Sequence, residues 1–340
     1  MPAQSAAIFG FLGHKLSTEE IKFFTRVQPW GYILFARNID NAAQIRALTA
    51  SLREISGRKN VPIFIDQEGG RVQRIKAPLA PLYPTGRQIG EIYRKSNNMG
   101  LRAAWLMSRL HAFDLSAYGI NADCLPVLDV PVEGAHDVIG DRAYGHKPRE
   151  VAEIGMAAAE GLIAGGVLPV IKHIPGHGRG AADSHLDLPV VSTSHDELSK
   201  TDFVPFKALA HMPLAMTAHI TYSALDDKAP ATLSKKVIKQ IIRKEIGFDG
   251  LLMSDDVSMK ALSGDFVVRT GAIFRAGCDI VLHCNGDMSE MVAVAAATGP
   301  LKGKSLKRAK RALKWLTKGK GTKSDANESA LREEFAAIFN

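Results

Sequence analysis

Short apolar runs recur along the chain, each leading into a segment whose hydrophobic positions have helical spacing. Eight of them have strand length, at residues 6–12, 31–36, 61–66, 122–129, 167–172, 214–219, 251–255 and 279–283. Most are apolar at successive positions rather than alternate ones. That is the pattern of parallel strands covered by helices on one face and by a core on the other. Helix-start signals stand between them. Ser17-Thr18-Glu19-Glu20 and Ser194-His195-Asp196-Glu197 each pair a hydroxyl cap with a carboxylate three residues on. Ser234 precedes a helical run over 237–246, which Gly247 closes. Eight strand-then-helix units predict an α/β fold, a single (β/α)8 barrel over residues 1–300, rather than an open doubly wound sheet. No Gly-x-Gly-x-x-Gly follows the first strand, which weakens a dinucleotide site further.

Composition is consistent with one large domain. The 340 residues are 46% hydrophobic, and no polar linker interrupts them before residue 300. Met1-Pro2-Ala3-Gln4-Ser5 lacks the basic start of a signal peptide, and no apolar run approaches the length of a membrane helix. Cys124, Cys278 and Cys284 are odd in number and sit in or beside apolar runs, as reduced thiols do. A cytoplasmic protein is expected. The net charge of +8 is local: residues 301–323 hold ten of the 43 Lys and Arg and no acid, leaving 33 basic against 35 acidic residues elsewhere. Leu306, Ala309, Leu313 and Leu316 fall at helical spacing there, so residues 301–340 are predicted to be a basic helical extension packed on the barrel by one face. A solvated face accounts for that charge, and no nucleic-acid or membrane partner is expected.

The chemistry-bearing residues gather at strand ends. Asp66, Asp129, Lys172 with His173, His219, Asp255 and His283 each close one of the apolar runs. In a (β/α)8 barrel the active site is built at the C-terminal strand ends, so these side chains should meet on one rim. The longest helix-free excursion is expected after the third strand, from Gln67 to about Leu82, where Glu68-Gly69-Gly70-Arg71-Val72-Gln73-Arg74 carries two guanidiniums over that rim. Lys172-His173-Ile174-Pro175-Gly176-His177-Gly178, followed by Asp183-Ser184-His185, places a cation, three imidazoles and a carboxylate within fourteen residues. An idle solvated loop has no reason to collect so many such groups.

Lys172-His173-x-Pro175-Gly176-His177-Gly178 with Asp183-Ser184-His185 resembles the fingerprint of the β-N-acetylglucosaminidases of glycoside hydrolase family 3. Asp66-Gln67-Glu68-Gly69-Gly70-Arg71-Val72-Gln73-Arg74 is similar to that family's substrate loop. Ile139-Gly140-Asp141-Arg142-Ala143-Tyr144-Gly145, Met216-Thr217-Ala218-His219-Ile220 and Ser254-Asp255-Asp256-Val257-Ser258-Met259 resemble three further segments, in the family's order. The resemblance spans about residues 60–260 and is nearest to the single-domain, cytoplasmic bacterial enzymes of peptidoglycan recycling. It implies removal of GlcNAc from GlcNAc-1,6-anhydro-MurNAc, with or without peptide. It implies Asp255 as nucleophile, His185 as general acid/base assisted by Asp183, and Asp66, Arg74, Arg142, Lys172 and His173 as sugar-binding residues. A saccharide or muropeptide substrate, no cofactor, no metal and a monomeric state complete the expectation. Ile174 departs from the family pattern, standing where an aromatic is usual.

These residue types suit that chemistry. A retaining glycosidase needs a nucleophile beneath the anomeric carbon and a proton donor at the leaving oxygen. No suitable Glu follows a strand end, whereas an imidazole titrates near neutral pH unaided. Asp183, two residues before His185, could accept its other N–H if the loop is extended. Alternatives remain at this level. His173, His177, Asp183 and His185 could bind zinc in a metal-dependent hydrolase, though their spacing fits no familiar motif. A catalytically silent sugar- or nucleic-acid-binding barrel, a β-glucosidase and a phosphorolytic enzyme are the others.

Overall fold

The computed structural model describes residues 3–180, 188–318 and 327–339. Eight parallel strands close into a barrel: β1 (Ser5–Phe9), β2 (Pro29–Leu34), β3 (Ile63–Ile65), β4 (Ala122–Asp123), β5 (Leu168–Ile174), β6 (Leu214–Thr217), β7 (Leu251–Asp256) and β8 (Ile280–His283). Each pairs with its neighbours in sequence, and β1 meets β8 with Ala7 opposite Val281. All eight predicted strands are present, several of them shorter than their apolar runs. The run over 122–129 is a two-residue strand followed by a single bridge, Val127 to Lys172, with the Leu125–Pro126 peptide cis between them.

Helices α1 (Thr18–Val27) and α2 (Ala42–Ser56) follow the first two strands, and α3 (Gly86–Lys95) and α4 (Asn97–Ala117) the third. Next come α5 (Pro148–Ala164), α6 (His195–Lys200) and α7 (Phe203–Ala208), then a π-helical segment at Val237–Glu245. The last are α8 (Phe266–Ala276), α9 (Met288–Ala296), α10 (Gly303–Leu313), α11 (Trp315–Lys318) and α12 (Glu328–Phe339). The predicted capping box at α1 forms in both directions, Ser17 with Glu20. Ser194 accepts the Glu197 N–H at α6. No helix among the described residues is long and apolar enough to cross a membrane.

Two apolar cores explain why the strand runs look continuous. Ile8, Trp30, Phe64, Val170, Met253 and Ile280 point into the barrel, while Phe9, Tyr32, Ile65, Ile171, Leu252 and Val281 pack under the helices. Alternation is therefore present in space but hidden in the sequence, because both faces are buried. The N-terminal end of the barrel is closed by α10 and α11. Ala309, Ala312 and Leu316 join the interior cluster, and Arg308 and Arg311 pair with Asp249, Arg308 also with the buried Asp279. The basic helix is thus anchored by two of its own cations as well as by its apolar face. The opposite, C-terminal end is left for the site.

One expectation fails. Among the described residues, the longest excursion before an α- or π-helix begins follows β4, from Cys124 to Lys147, and not β3, where α3 begins at Gly86. Only a 3-10 turn, Gly140–Arg142, interrupts the former. It carries little apolar periodicity to tell a loop from an extended strand, and so part of it reads as strand.

Candidate functional site

The loops at the C-terminal rim enclose a cavity of about 490 Å3. Asp66 enters it from the end of β3, Lys172 and His173 from β5, and Asp255 and Asp256 from β7. Lys172 and His173 are consecutive yet both line the cavity; the peptide joining them is cis. Arg142 reaches it from the turn after β4, and Arg74 from a hairpin formed by Gln67–Gly69 and Val72–Gln73. Gly69 and Gly70 turn that hairpin at φ +100° and +54°. A Cβ on Gly69 would lie 2.3 Å from the Pro84 carbonyl oxygen, so glycine is required where the hairpin presses on the chain behind it.

Two carboxylates and three cations alternate across the floor. Lys172 Nζ lies 3.0 Å from Asp66 Oδ1 and 2.6 Å from Glu68 Oε1. Arg74 Nη2 donates to Asp66 Oδ2 at 3.0 Å, and Arg142 donates from Nε and Nη2 to both Glu68 oxygens at 2.8 Å. Burial pushes the Asp66 carboxyl upward, but the Lys172 and Arg74 charges outweigh it and hold Asp66 well below the usual range. Glu68 is likewise pushed up by burial and brought down, to about 2, by Arg142 and Lys172. Burial lowers Lys172, and the two carboxylates more than restore it, so the ammonium stays charged at 2% exposure.

A second layer supports the first. Asp129, fully buried, accepts the His173 backbone N–H at 3.2 Å and stands 2.7 Å from its Nδ1. It also accepts the His177 backbone N–H at 2.6 Å. Burial, then the nearby His173, push the His177 imidazole down to about 4. His219 bridges Thr232 Oγ1 at 2.7 Å and the Asp256 carbonyl at 3.0 Å, which steadies the end of β7. Of the six strand ends picked out in the sequence, three present groups to the cavity. Asp129, His219 and His283 lie behind its wall.

The family model described as the glycosyl hydrolase family 3 N-terminal domain matches residues 8–315. A protein named "Beta-hexosaminidase" from Methylobacillus flagellatus is 36% identical over 282 residues, 81% of this chain and 78% of that one. Another of that name from Methylococcus capsulatus is 38% identical over 282 residues, covering 82% of each. The chain belongs to glycoside hydrolase family 3. In three dimensions this family 3 glycosidase is similar to NagZ from Neisseria gonorrhoeae, solved in complex with N-trifluoroacetyl-D-glucosamine, with a TM-score of 0.87, 31% identity and 99% of each chain covered.

In this glycosidase, six of the eight residues singled out from the sequence share one cavity: Asp66, Arg74, Arg142, Lys172, His173 and Asp255. His185 and Asp183 lie outside the described residues. Asp256, the next residue along β7, lines the cavity together with Asp255. Asp256 Oδ1 accepts the Ser258 and Cys284 N–H groups, and its Oδ2 the Ser258 hydroxyl, at 3.0, 3.1 and 2.5 Å, while Asp255 Oδ1 accepts the Asp256 backbone N–H at 2.8 Å. Glu68 is held ionised by Arg142 and Lys172 and has no proton to give at neutral pH. Sequence reasoning missed Phe35 and Arg37, which form the wall beyond β2. Arg37 donates to the Phe11 carbonyl at 2.9 Å, and its guanidinium stacks 4.7 Å from the Phe35 ring, with Arg74 at 5.6 Å from the same ring. The rule that located the other strand-end groups would have reached Arg37, three residues past the last residue of β2. Ile174, the departure from the family pattern, is fully buried in the outer core and removes no group from the site.

Proposed function

We propose that this glycosidase is a retaining exo-β-N-acetylglucosaminidase acting on peptidoglycan fragments, GlcNAc-1,6-anhydro-MurNAc with or without its peptide. The observation that carries this reading is Asp255, at the rigid end of β7, opening on the same cavity as the Asp66–Lys172–Arg74 cluster. The shared name of the curated relatives and the glucosamine derivative held by the gonococcal relative support the choice of sugar. A cytoplasmic, monomeric enzyme that needs no cofactor fits this role.

In the first step an Asp255 carboxylate oxygen attacks the anomeric carbon while the bond to the leaving oxygen breaks. His185, as imidazolium, gives that oxygen its proton. In the second step the neutral imidazole takes a proton from water, whose oxygen displaces Asp255 and restores the original anomeric configuration. Asp183 accepts the other imidazole N–H, which orients the ring and favours its charged form. Asp66, kept ionised, accepts sugar hydroxyls, and Lys172, Arg74, Arg142 and His173 donate to them. Arg142 has committed two of its donors to Glu68 and is aimed by it.

A slow, fluorinated GlcNAc donor tests the reading. Trapping followed by peptide mapping should find one adduct, on Asp255, and Asp255→Ala should abolish turnover. An adduct on Asp256, or continued turnover with no adduct from any slow donor, overturns the assignment. Running the same reaction with and without inorganic phosphate decides the acceptor: free GlcNAc in both cases is hydrolysis, and GlcNAc-1-phosphate in the presence of phosphate replaces the reading with a phosphorylase.

A further inference from the structure

Behind the hairpin that carries Asp66, Glu68 and Arg74 lies a buried pair that the mechanism above does not use. Asp123 closes β4 and His111 sits on α4; both are fully buried. His111 Nδ1 stands 3.7 Å from Asp123 Oδ2, and neither imidazole nitrogen has a hydrogen bond among the described residues. The other Asp123 oxygen, Oδ1, accepts the backbone N–H of Gln67 at 3.0 Å. Gln67 is the residue between Asp66 and Glu68, and its side chain ties the hairpin shut. Gln67 Oε1 accepts the Arg74 and Ile75 N–H groups at 3.1 and 3.0 Å, and its Nε2 donates to the Ile75 carbonyl at 2.9 Å.

A carboxyl group without solvent is tolerated only where partners face it. Burial pushes Asp123 upward, and His111 is the first group that opposes it. The pair is itself fixed from outside. The Tyr83 ring meets His111 edge to face at 4.4 Å, and the Tyr83 hydroxyl donates to Asp114 at 2.6 Å. Arg332 of α12 pairs with that same Asp114 at 2.6 Å.

We infer that His111 and Asp123 are positioning residues for the glycosidase reaction: they hold the Gln67 backbone, and through it the placement at which Asp66 and Arg74 meet the sugar. The inference rests on the proposed function for its kinetic readout alone. Asp123→Asn keeps an acceptor for the Gln67 N–H, whereas Asp123→Ala removes it. His111→Phe keeps the ring packed on Tyr83 and removes only the nitrogens.

The test measures kcat and KM on an aryl GlcNAc glycoside, with hydrogen exchange in the peptide spanning 66–75. A buried donor left without its acceptor weakens the local structure enough to expect a rise in KM of about tenfold. Asp123→Ala and His111→Phe should show that rise, with faster exchange in that peptide and kcat changed by much less. Asp123→Asn should stay close to the wild type in both. A lowered melting temperature in Asp123→Ala with unchanged KM and unchanged exchange overturns the inference and leaves a purely structural pair. Should Asp123→Ala not fold, the same comparison between His111→Phe and Asp123→Asn decides: equal values in the two overturn it. A wild type inert on GlcNAc glycosides defeats the proposed function instead, and exchange alone then tests the positioning.

Discussion

His185 has a prediction that depends on leaving-group chemistry more than on rate. If imidazolium protonates the leaving oxygen, His185→Ala should harm glycosides with poor leaving groups by about 10² to 10⁴ in rate. An activated aryl glycoside needs little proton help in its first step, so it should retain that step and show a burst of released phenol. Equal losses for both kinds of substrate would assign His185 to binding. His177 offers a prediction of another kind. Its imidazole is pushed from 6.5 down to about 4, mainly by burial. Between those values the unfolded chain takes up a proton that the folded chain refuses. Its contribution to stability is therefore complete above pH 6.5 and is lost as pH falls through about 4, roughly 3 kcal/mol in all. Urea unfolding at intervals from pH 7 to 4 should show that slope, and His177→Asn should flatten it.

At the scale of elements, the strands were legible because a parallel barrel strand buries both faces and leaves an unbroken apolar run. Their C-terminal ends were legible because Asp66, Lys172 and Asp255 break those runs abruptly. What the chain hides is which strand-end group faces the cavity and which lies behind it. His283 and Asp66 look alike in sequence, yet His283 pairs with Glu290 at 3.0 Å and stands outside the cavity. Glu68 was visible, but its role depends on Arg142, seventy-four residues away, and no local pattern encodes such an ion pair. The same holds for Asp279, which immediately precedes β8. It is buried, and it pairs with Arg243 at 2.7 Å and with Arg308 of α10 at 3.2 Å. Asp279→Ala leaves the mostly buried Arg243 without its carboxylate and should cost about 3–5 kcal/mol in chemical unfolding. It lies at the end of the barrel away from the cavity, so KM of the folded fraction should not change.

At the scale of the molecule, the sequence predicts a barrel over residues 1–300 and a basic helical extension over 301–340 packed on it. Leu301, Ala309, Ala312 and Leu316 complete the interior core, and the family model itself runs to residue 315. A chain ending at residue 300 would leave the floor of the barrel open to water, and an exposed apolar patch of that kind promotes association. Such a truncation should elute from a sizing column as aggregate, whereas the full chain should elute as one discrete species.

The pairing of β1 with β8 also constrains how the protein is made. Synthesis is directional, and a ribosome adds on the order of 5 to 20 residues each second. Ser5–Phe9 leaves the exit tunnel early, but its partner Ile280–His283 is among the last strands to be translated. For tens of seconds, by that rate, every nascent copy carries an open strand edge that cannot yet be satisfied in cis. Neighbouring ribosomes on one message hold such edges close together, and an unpaired edge is a template for pairing between chains. The interval during which this enzyme is most exposed to misassembly therefore comes before its last strand exists.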